Sequence, residues 1–376
     1  MKQSLIVSLG RIDQSLVVGL LGRWSDGRQL LWSTTGQLTD LWLEHSWPLL
    51  KFSKKAVITQ PFLGFWLWLL RPWFYLTAYW RLVKLVKRQQ IDGLICLSWL
   101  DKIWLTGPAL RLGLPVVWLQ LPEEVNLKLF APLAASYRRQ ASRVKILTYG
   151  RHLVDNWQTT GSCLSNCQLL CPALDQSKVS QQANLFDSFA DNQREQTDKK
   201  YFVVGAVVNL DDSQTVEVLL RSLKIVLSVV PSVQLVIIGD GAKRKELQWL
   251  AKQLDLANLV WFVGRQEPLD KWFRSLDALI ELSMVTSQDW QRLLQAMSVG
   301  LPIIAPKDKQ VADFLLPGQT ALVVEKAEPE MLAQAVIQLQ QDKLLAGRLS
   351  WQSKQWIAEF GNLERQLTDF INYLAK

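Results

Sequence analysis

The feature that most constrains the fold of this 376-residue chain is a regular alternation that begins at Tyr201. Short apolar runs, YFVVGAVV, QLVIIG, LVWFVG, DALIEL, PIIAP and ALVV, are separated by stretches of helical period: VEVLLRSLKIVLSVV, AKRKELQWLAKQL, PLDKWFRSL, DWQRLLQAMSV, VADFLL and, at the end, EPEMLAQAVIQLQQD. An apolar run of that length bounded by turn residues fits a strand buried on both faces, and a strand followed by a helix returns to its sheet by a right-handed crossover. The region is therefore expected to be α/β, an open parallel sheet with its ligand outside the carboxyl ends of the strands.

The first half repeats the pattern less regularly. SLIVSL (4–9), QLLWST (29–34), AVIT (56–59), GLICLS (93–98), PVVWLQL (115–121) and VKILTYG (144–150) read as strands with helical segments between them. Gly10 follows the first strand, where a glycine lets backbone approach a ligand beside a helix N-terminus. From Asp175 to Lys200 the composition turns polar, DQSKVSQQANLFDSFADNQREQTDKK, as in an interdomain linker. With 49% hydrophobic residues the chain can fill two cores. The expected division is 1–175, a linker over 176–200, a second domain over 201–348 and a closing helix over 349–376.

Charge is distributed unevenly. Residues 1–175 carry 20 Lys and Arg against 10 Asp and Glu, while the remainder carries 22 against 24. An anionic partner surface is expected for the first half. No acid occurs between Glu44 and Asp92, and this stretch holds FLGFWLWLLRPWFYLTAYWRLVKLVKRQQ. Its apolar run from Leu63 to Leu70 falls short of the roughly 20 apolar residues that a span requires. A helix lying in the membrane interface fits better, with Trp66, Trp68, Trp73 and Trp80 at headgroup depth and Arg81, Lys84, Lys87 and Arg88 on the polar edge. The alternative is a core helix followed by a basic solvated turn. Nucleic acid is not expected, because no recognition motif accompanies the basic residues.

Cys163, Cys167 and Cys171 lack the paired spacing of a zinc ribbon, and no metal is expected. His45 and His152 are the chain's two histidines, so acid–base work would fall on carboxylates. MKQSLIVSLG reads as a first core strand rather than a secretory leader, and the cysteine usage fits a reducing cytosol.

The run from Gln234 to Leu282, QLVIIGDGAKRKELQWLAKQLDLANLVWFVGRQEPLDKWFRSLDALIEL, followed by QAMSVGLPIIAP, resembles the C-terminal half of family-four glycosyltransferases. KRQQIDGLICLS, LRLGLPVVWLQL and LLCPALD resemble the family's first half more loosely. The resemblance implies a GT-B architecture, two Rossmann-like domains facing a cleft, with LSWQSKQWIAEFGNLERQLTDFINYL (349–374) as the helix that crosses back to the first domain. It further implies a metal-independent retaining hexosyltransferase with a nucleotide-sugar as donor substrate. Together with the basic aromatic segment, it points to a lipid-linked or cell-envelope glycan acceptor in polysaccharide biosynthesis and to a peripheral protein on the cytoplasmic face of the membrane.

Carried over residue by residue, the family's charged groups are largely missing. Its arginine after the first strand of the second domain falls at Ala206, following Gly205, and its lysine at Gln214. Its two glutamates fall at Ser287 and Gln295, and the histidine of its first domain at Leu121. Glu281 and Asp289 are nearby carboxylates out of register. Donor contacts are expected instead from Gly10, Gly205, Gly239, Gly241, Arg265, Gln295, Lys307 and Lys309. A second function therefore stands beside transfer: a catalytically silent GT-B module that stabilises or positions a partner glycosyltransferase.

Overall fold

The computed structural model describes residues 4–8, 14–25, 29–33, 36–51, 71–122, 131–150, 166–174, 201–282, 284 and 286–375. The chain divides into two units. The first comprises Met1–Pro172, Val285–Gln288 and Leu363–Lys376, and the second Ala173–Met284 and Asp289–Asn362. Gly10, Trp66, Trp68, Cys163, the AVIT run and the 176–200 linker lie outside the described residues.

The first unit is built on β1 (Ser4–Ser8), β2 (Leu30–Ser33), β3 (Leu49–Lys51), β4 (Gly93–Cys96), β5 (Val116–Gln120), β6 (Lys145–Thr148) and β7 (Cys167–Leu169). They form one sheet in the order β3-β2-β1-β4-β5-β6-β7, every pair parallel. β7 was not expected from sequence, because polar Asn166 and Gln168 break its apolar run. Helices α1 (Ser15–Trp24), α2 (Gln37–Glu44), α3 (Arg71–Gln89), α4 (Trp99–Arg111) and α5 (Ala131–Ala141) connect the strands. α4 starts sharply because Ser98 and Asp101 form a reciprocal capping box.

The second unit holds β8 (Phe202–Val207), β9 (Val233–Ile238), β10 (Val260–Gly264), β11 (Ala278–Ile280), β12 (Ile303–Pro306) and β13 (Leu322–Val324) in the order β10-β9-β8-β11-β12-β13, again all parallel. Its helices are α6 (Ser213–Leu227), α7 (Arg244–Gln253), α8 (Asp270–Ser275), α9 (Ser287–Val299), α10 (Pro329–Gln341) and α11 (Lys343–Glu359). The core joins Val204, Leu235, Ile237 and Ile280 of the sheet to Leu220 and Leu223 of α6 and Leu332 and Val336 of α10. VADFLL, expected as a helix, forms turns only; Phe314 is fully buried there against Trp290.

The closing segment expected as one helix over 349–376 is two. α11 contributes Leu345 and Leu349 to the core of the second unit, and the chain breaks at Phe360–Asn362. The following helix, α12 (Leu363–Ala375), belongs to the first unit. There Phe370 meets Trp24 edge to face, Glu364 pairs with Arg23, and Gln366 donates to the Cys171 carbonyl. Leu363 faces Gly19 of α1, leaving ordinary contact distance, 3.5 Å, for a Cβ there.

Candidate functional site

Both sheets have the doubly wound order in which connections leave a central strand in opposite directions. The ligand crevice of such a sheet lies at the carboxyl ends of the two strands flanking that reversal. In the second unit these are β8 and β11. Along the carboxyl edge the sheet order places Arg265 after β10, Gly239 and Gly241 after β9, Asn209–Asp212 after β8, Glu281 after β11 and Lys307 after β12.

The β8 and β9 loops touch backbone to backbone. Leu210 N–H donates to Asp240 O, Lys243 N–H to Leu210 O, and Ala242 N–H to the Asp211 carboxylate at 2.7 Å. Gly239 has φ +146°, and a Cβ there would lie 1.8 Å from the Val208 carbonyl oxygen. A Cβ on Gly241 would come within 2.5 Å of Leu210 C and Asp211 N. These glycines therefore serve loop-on-loop packing. Gly205 lies inside β8 with Leu276 filling the space of its missing side chain, and Ala206 is buried beside it, so packing in mid-strand accounts for both.

At this end Lys243, Arg244 and Arg265 stand among Asp211, Asp212 and Asp240, and Lys243 and Arg244 are engaged within the protein. Asp212 caps α6, accepting from Gln214 N–H and from the Thr215 hydroxyl, and chiefly that hydroxyl holds its carboxyl below the usual range. Gln214 is thus the second residue of a capped helix. Asp211 and Asp240 stand beside it. Lys243 is engaged with Ser213, and Arg244 with Asp240 and the Phe262 carbonyl. Exposed Arg265 follows Gly264, whose N-terminal neighbour Val263 accepts from Gln266.

At β11 the chemistry is different. Glu281 is fully buried where the strand ends, and α9 returns Asp289 and Arg292 to it. The Arg292 guanidinium lies 2.6 Å from Asp289 and 3.8 Å from Glu281. The two out-of-register acids thus share one arginine, a partner the sequence reading had not connected to them. Trp290, fully buried, donates to the Met284 carbonyl at 3.1 Å and pins the loop that leads into the helix. α9 ends in a Schellman motif at Gly300 (φ +73°), with Leu301 N–H bonded to Ala296 O and Gly300 N–H to Met297 O.

Ser287 is the buried first residue of α9 and Gln295 lies half-buried two turns on. Eight residues at 1.5 Å rise separate them by about 12 Å along the axis. Lys307 is exposed and pairs with Glu325 at 3.1 Å; Lys309 is exposed on the following turn.

In the first unit the reversal lies between β1 and β4. Gln14 ties its edge together, donating to the Ser8 hydroxyl at 2.7 Å and accepting from Leu38 N–H. Leu121 is buried after β5. Lys102, also fully buried, donates to the Leu119 carbonyl at 2.7 Å and reaches Gln120. A lysine inside the apolar run LDKIWLTGPAL was the signal for it.

Residues 199–342, in the second half of the chain, match the family described as glycosyl transferases group 1. Among curated relatives, the lipopolysaccharide core biosynthesis glycosyltransferase LpsE of Rhizobium meliloti (strain 1021) is 26% identical over 147 residues, 39% of this chain and 42% of that protein. The chain spans less than half the length of the curated relatives it matches. The crystal structure of Anabaena Alr3699/HepE in complex with UDP superposes with TM-score 0.74 at 16% identity, covering 100% of both chains. A glycosyltransferase from Rickettsia africae ESF-5 gives TM-score 0.74 at 11% identity over 99% and 97% of the two chains. At these identities the structural likeness establishes the fold, that of the GT-B glycosyltransferases.

Proposed function

We propose that the protein transfers a sugar from a nucleotide-sugar, with uridine diphosphate as the carrier, to a lipid-linked or cell-envelope glycan at the cytoplasmic face of a membrane. The observation that carries this reading is a group 1 domain at residues 199–342 within a fold shared end to end with a protein crystallised with UDP. In it, Gln295 bonds the ribose, Arg265 borders the base, and Lys307 and Lys309 meet the phosphates, with no metal required. The departing diphosphate develops negative charge, which those lysines and nearby backbone N–H groups stabilise. Arg292 ties Glu281 and Asp289 together at the end of β11 beside the sugar. Transfer is of a hexose with retention of configuration, as the family resemblance implies.

A second reading is favoured by one observation: Asp211, Asp212 and Asp240 gather at the β8 and β9 loops, where the family pattern calls for cations. In that reading the module is silent and positions a partner glycosyltransferase. Calorimetry separates the two. UDP-glucose or another UDP-sugar should release heat on binding. Gln295→Ala should weaken that binding about fivefold, the worth of one hydrogen bond of ~1 kcal/mol. No heat with UDP, GDP or ADP sugars, joined to pull-down of a second glycosyltransferase, would sink the transfer reading.

Membrane attachment is supported by the exposed face of α3. Trp73, Leu76, Trp80, Lys84 and Lys87 recur at helical spacing along it, and Trp73 and Trp80 are each 64% exposed. Arg81 and Arg88 flank that stripe. Among the described residues no helix is long and apolar enough to cross a membrane. Flotation with anionic vesicles should be lost in Trp73→Ser/Trp80→Ser; unchanged flotation would refute attachment through α3.

A further inference from the structure

The first unit contains a cavity of about 630 Å³ walled by α3, α4 and α5. Three of its lining residues are arginines. Arg111 ends α4, Arg139 lies in the last turn of α5, and Arg143 sits in the turn before β6. The cavity is therefore beside the chain entering β5 and β6, the opposite end of the strands from the ligand crevice.

Basic residues at helix C-termini are commonplace, each worth a few tenths to ~1 kcal/mol against the helix dipole. That accounts for one arginine at each helix end. It does not account for three converging on one hollow, where like charges repel. Among the described residues no carboxylate pairs with Arg111, Arg139 or Arg143. Arg111 instead lies over the Tyr75 ring, 5.0 Å from its centroid, a contact that leaves its N–H fork available. Gly107 makes room for that stack, since a Cβ there would approach Tyr75 to 2.9 Å. Ser136 and Gln140 add polar groups to the wall.

We infer that this cavity binds a phosphate group, at a site separate from that of the nucleotide-sugar. Guanidinium forks match phosphate oxygens two at a time, and an anionic phosphate, singly charged in a diester or up to doubly charged in a monoester, relieves the repulsion among the three cations. The phosphate comes either from an anionic lipid headgroup or from a soluble phosphate ester. Only the lipid source rests on the membrane reading of α3; the site itself rests on the cavity.

The test uses the full chain. Thermal unfolding is followed in sodium phosphate, in glycerol phosphate and in sodium chloride at matched pH and ionic strength, for wild type and Arg139→Gln/Arg143→Gln. Both arginine side chains are exposed at the rim, so the double variant should fold. A ligand that binds only the folded state raises the midpoint. The wild type should gain a few degrees in either phosphate and the double variant should lose that gain. Arg139→Lys/Arg143→Lys, which keeps charge without the fork, should retain part of it. Vesicle sedimentation then separates the sources. A tenfold or greater loss of binding to phosphatidylglycerol vesicles in the Gln variant, with none to phosphatidylcholine, assigns the phosphate to lipid. Equal vesicle binding with the solution effect intact assigns it to a soluble ester. A midpoint unchanged by phosphate in the wild type, or a rise undiminished in the Gln variant, overturns the site. Failure of wild-type protein to float on anionic vesicles overturns membrane attachment and leaves the solution result to decide the cavity.

Discussion

Two neighbouring parts of the carboxyl edge in the second unit are built by different physics. At β8 and β9 the loops interlock backbone against backbone, with glycines at the points of closest approach and acids on the outside. At β11 one arginine holds two buried carboxylates together. The first arrangement makes a platform whose cations Lys243 and Arg244 are engaged with Ser213 and Asp240. The second gathers two carboxylates and a guanidinium inside the fold. The shape at β8 and β9 is secured chiefly by main chain rather than by charged side chains.

The largest effect should come from Gly239→Ala. Its Cβ would lie far inside contact distance of a carbonyl oxygen and its φ is left-handed, so a loss of about 4 kcal/mol or more is expected. Urea unfolding measures it, and a near-native midpoint would show that the loops are free to separate. Next is Arg292→Met, which leaves Glu281 and Asp289 facing each other without their cation. Breaking a buried pair in this way costs about 3–5 kcal/mol, and adding Glu281→Gln should recover part of it. If the double variant is no better than the single, the two carboxylates are screened by water and the contrast between the two ends disappears.

Asp212→Ala removes the α6 cap and should cost about 1 kcal/mol at neutral pH. Because the folded carboxyl titrates below its ordinary value, its contribution is present above that value and fades as pH falls through the folded one. The gap between wild type and variant should therefore close in acid. Asp270 has the opposite sign: burial raises its carboxyl, with Arg274 opposing, and one of its oxygens is buried without a hydrogen-bond partner. Ionisation there weakens the fold as pH rises through the raised value. Asp270→Asn should raise the unfolding free energy at pH 7 slightly, by about 0.5 kcal/mol or less, and leave it unchanged in acid.

Legibility differed between the units for a physical reason. In the second, every strand from β8 to β13 lies in a short, mainly apolar run, and Gly300 and Asp212 punctuate the helices as local chemistry dictates. In the first, β7 is three half-buried residues held through Thr148 and Asn166, so its apolar pattern is weak. The candidate site was read as positions, Ser287 and Gln295 above all. The pairing of Arg292 with Glu281 and Asp289 was not, because it joins a strand end to a helix turn across a loop.

The sequence by itself determined the two α/β units and the group 1 resemblance, since each depends on local pattern and residue identity. Only the tertiary structure decided which glycines are packing devices, that the closing segment breaks after α11, and that three arginines from two helices and a turn surround one cavity. Those features depend on which surfaces meet, and residues distant in the chain meet only once the sheets and helices are packed.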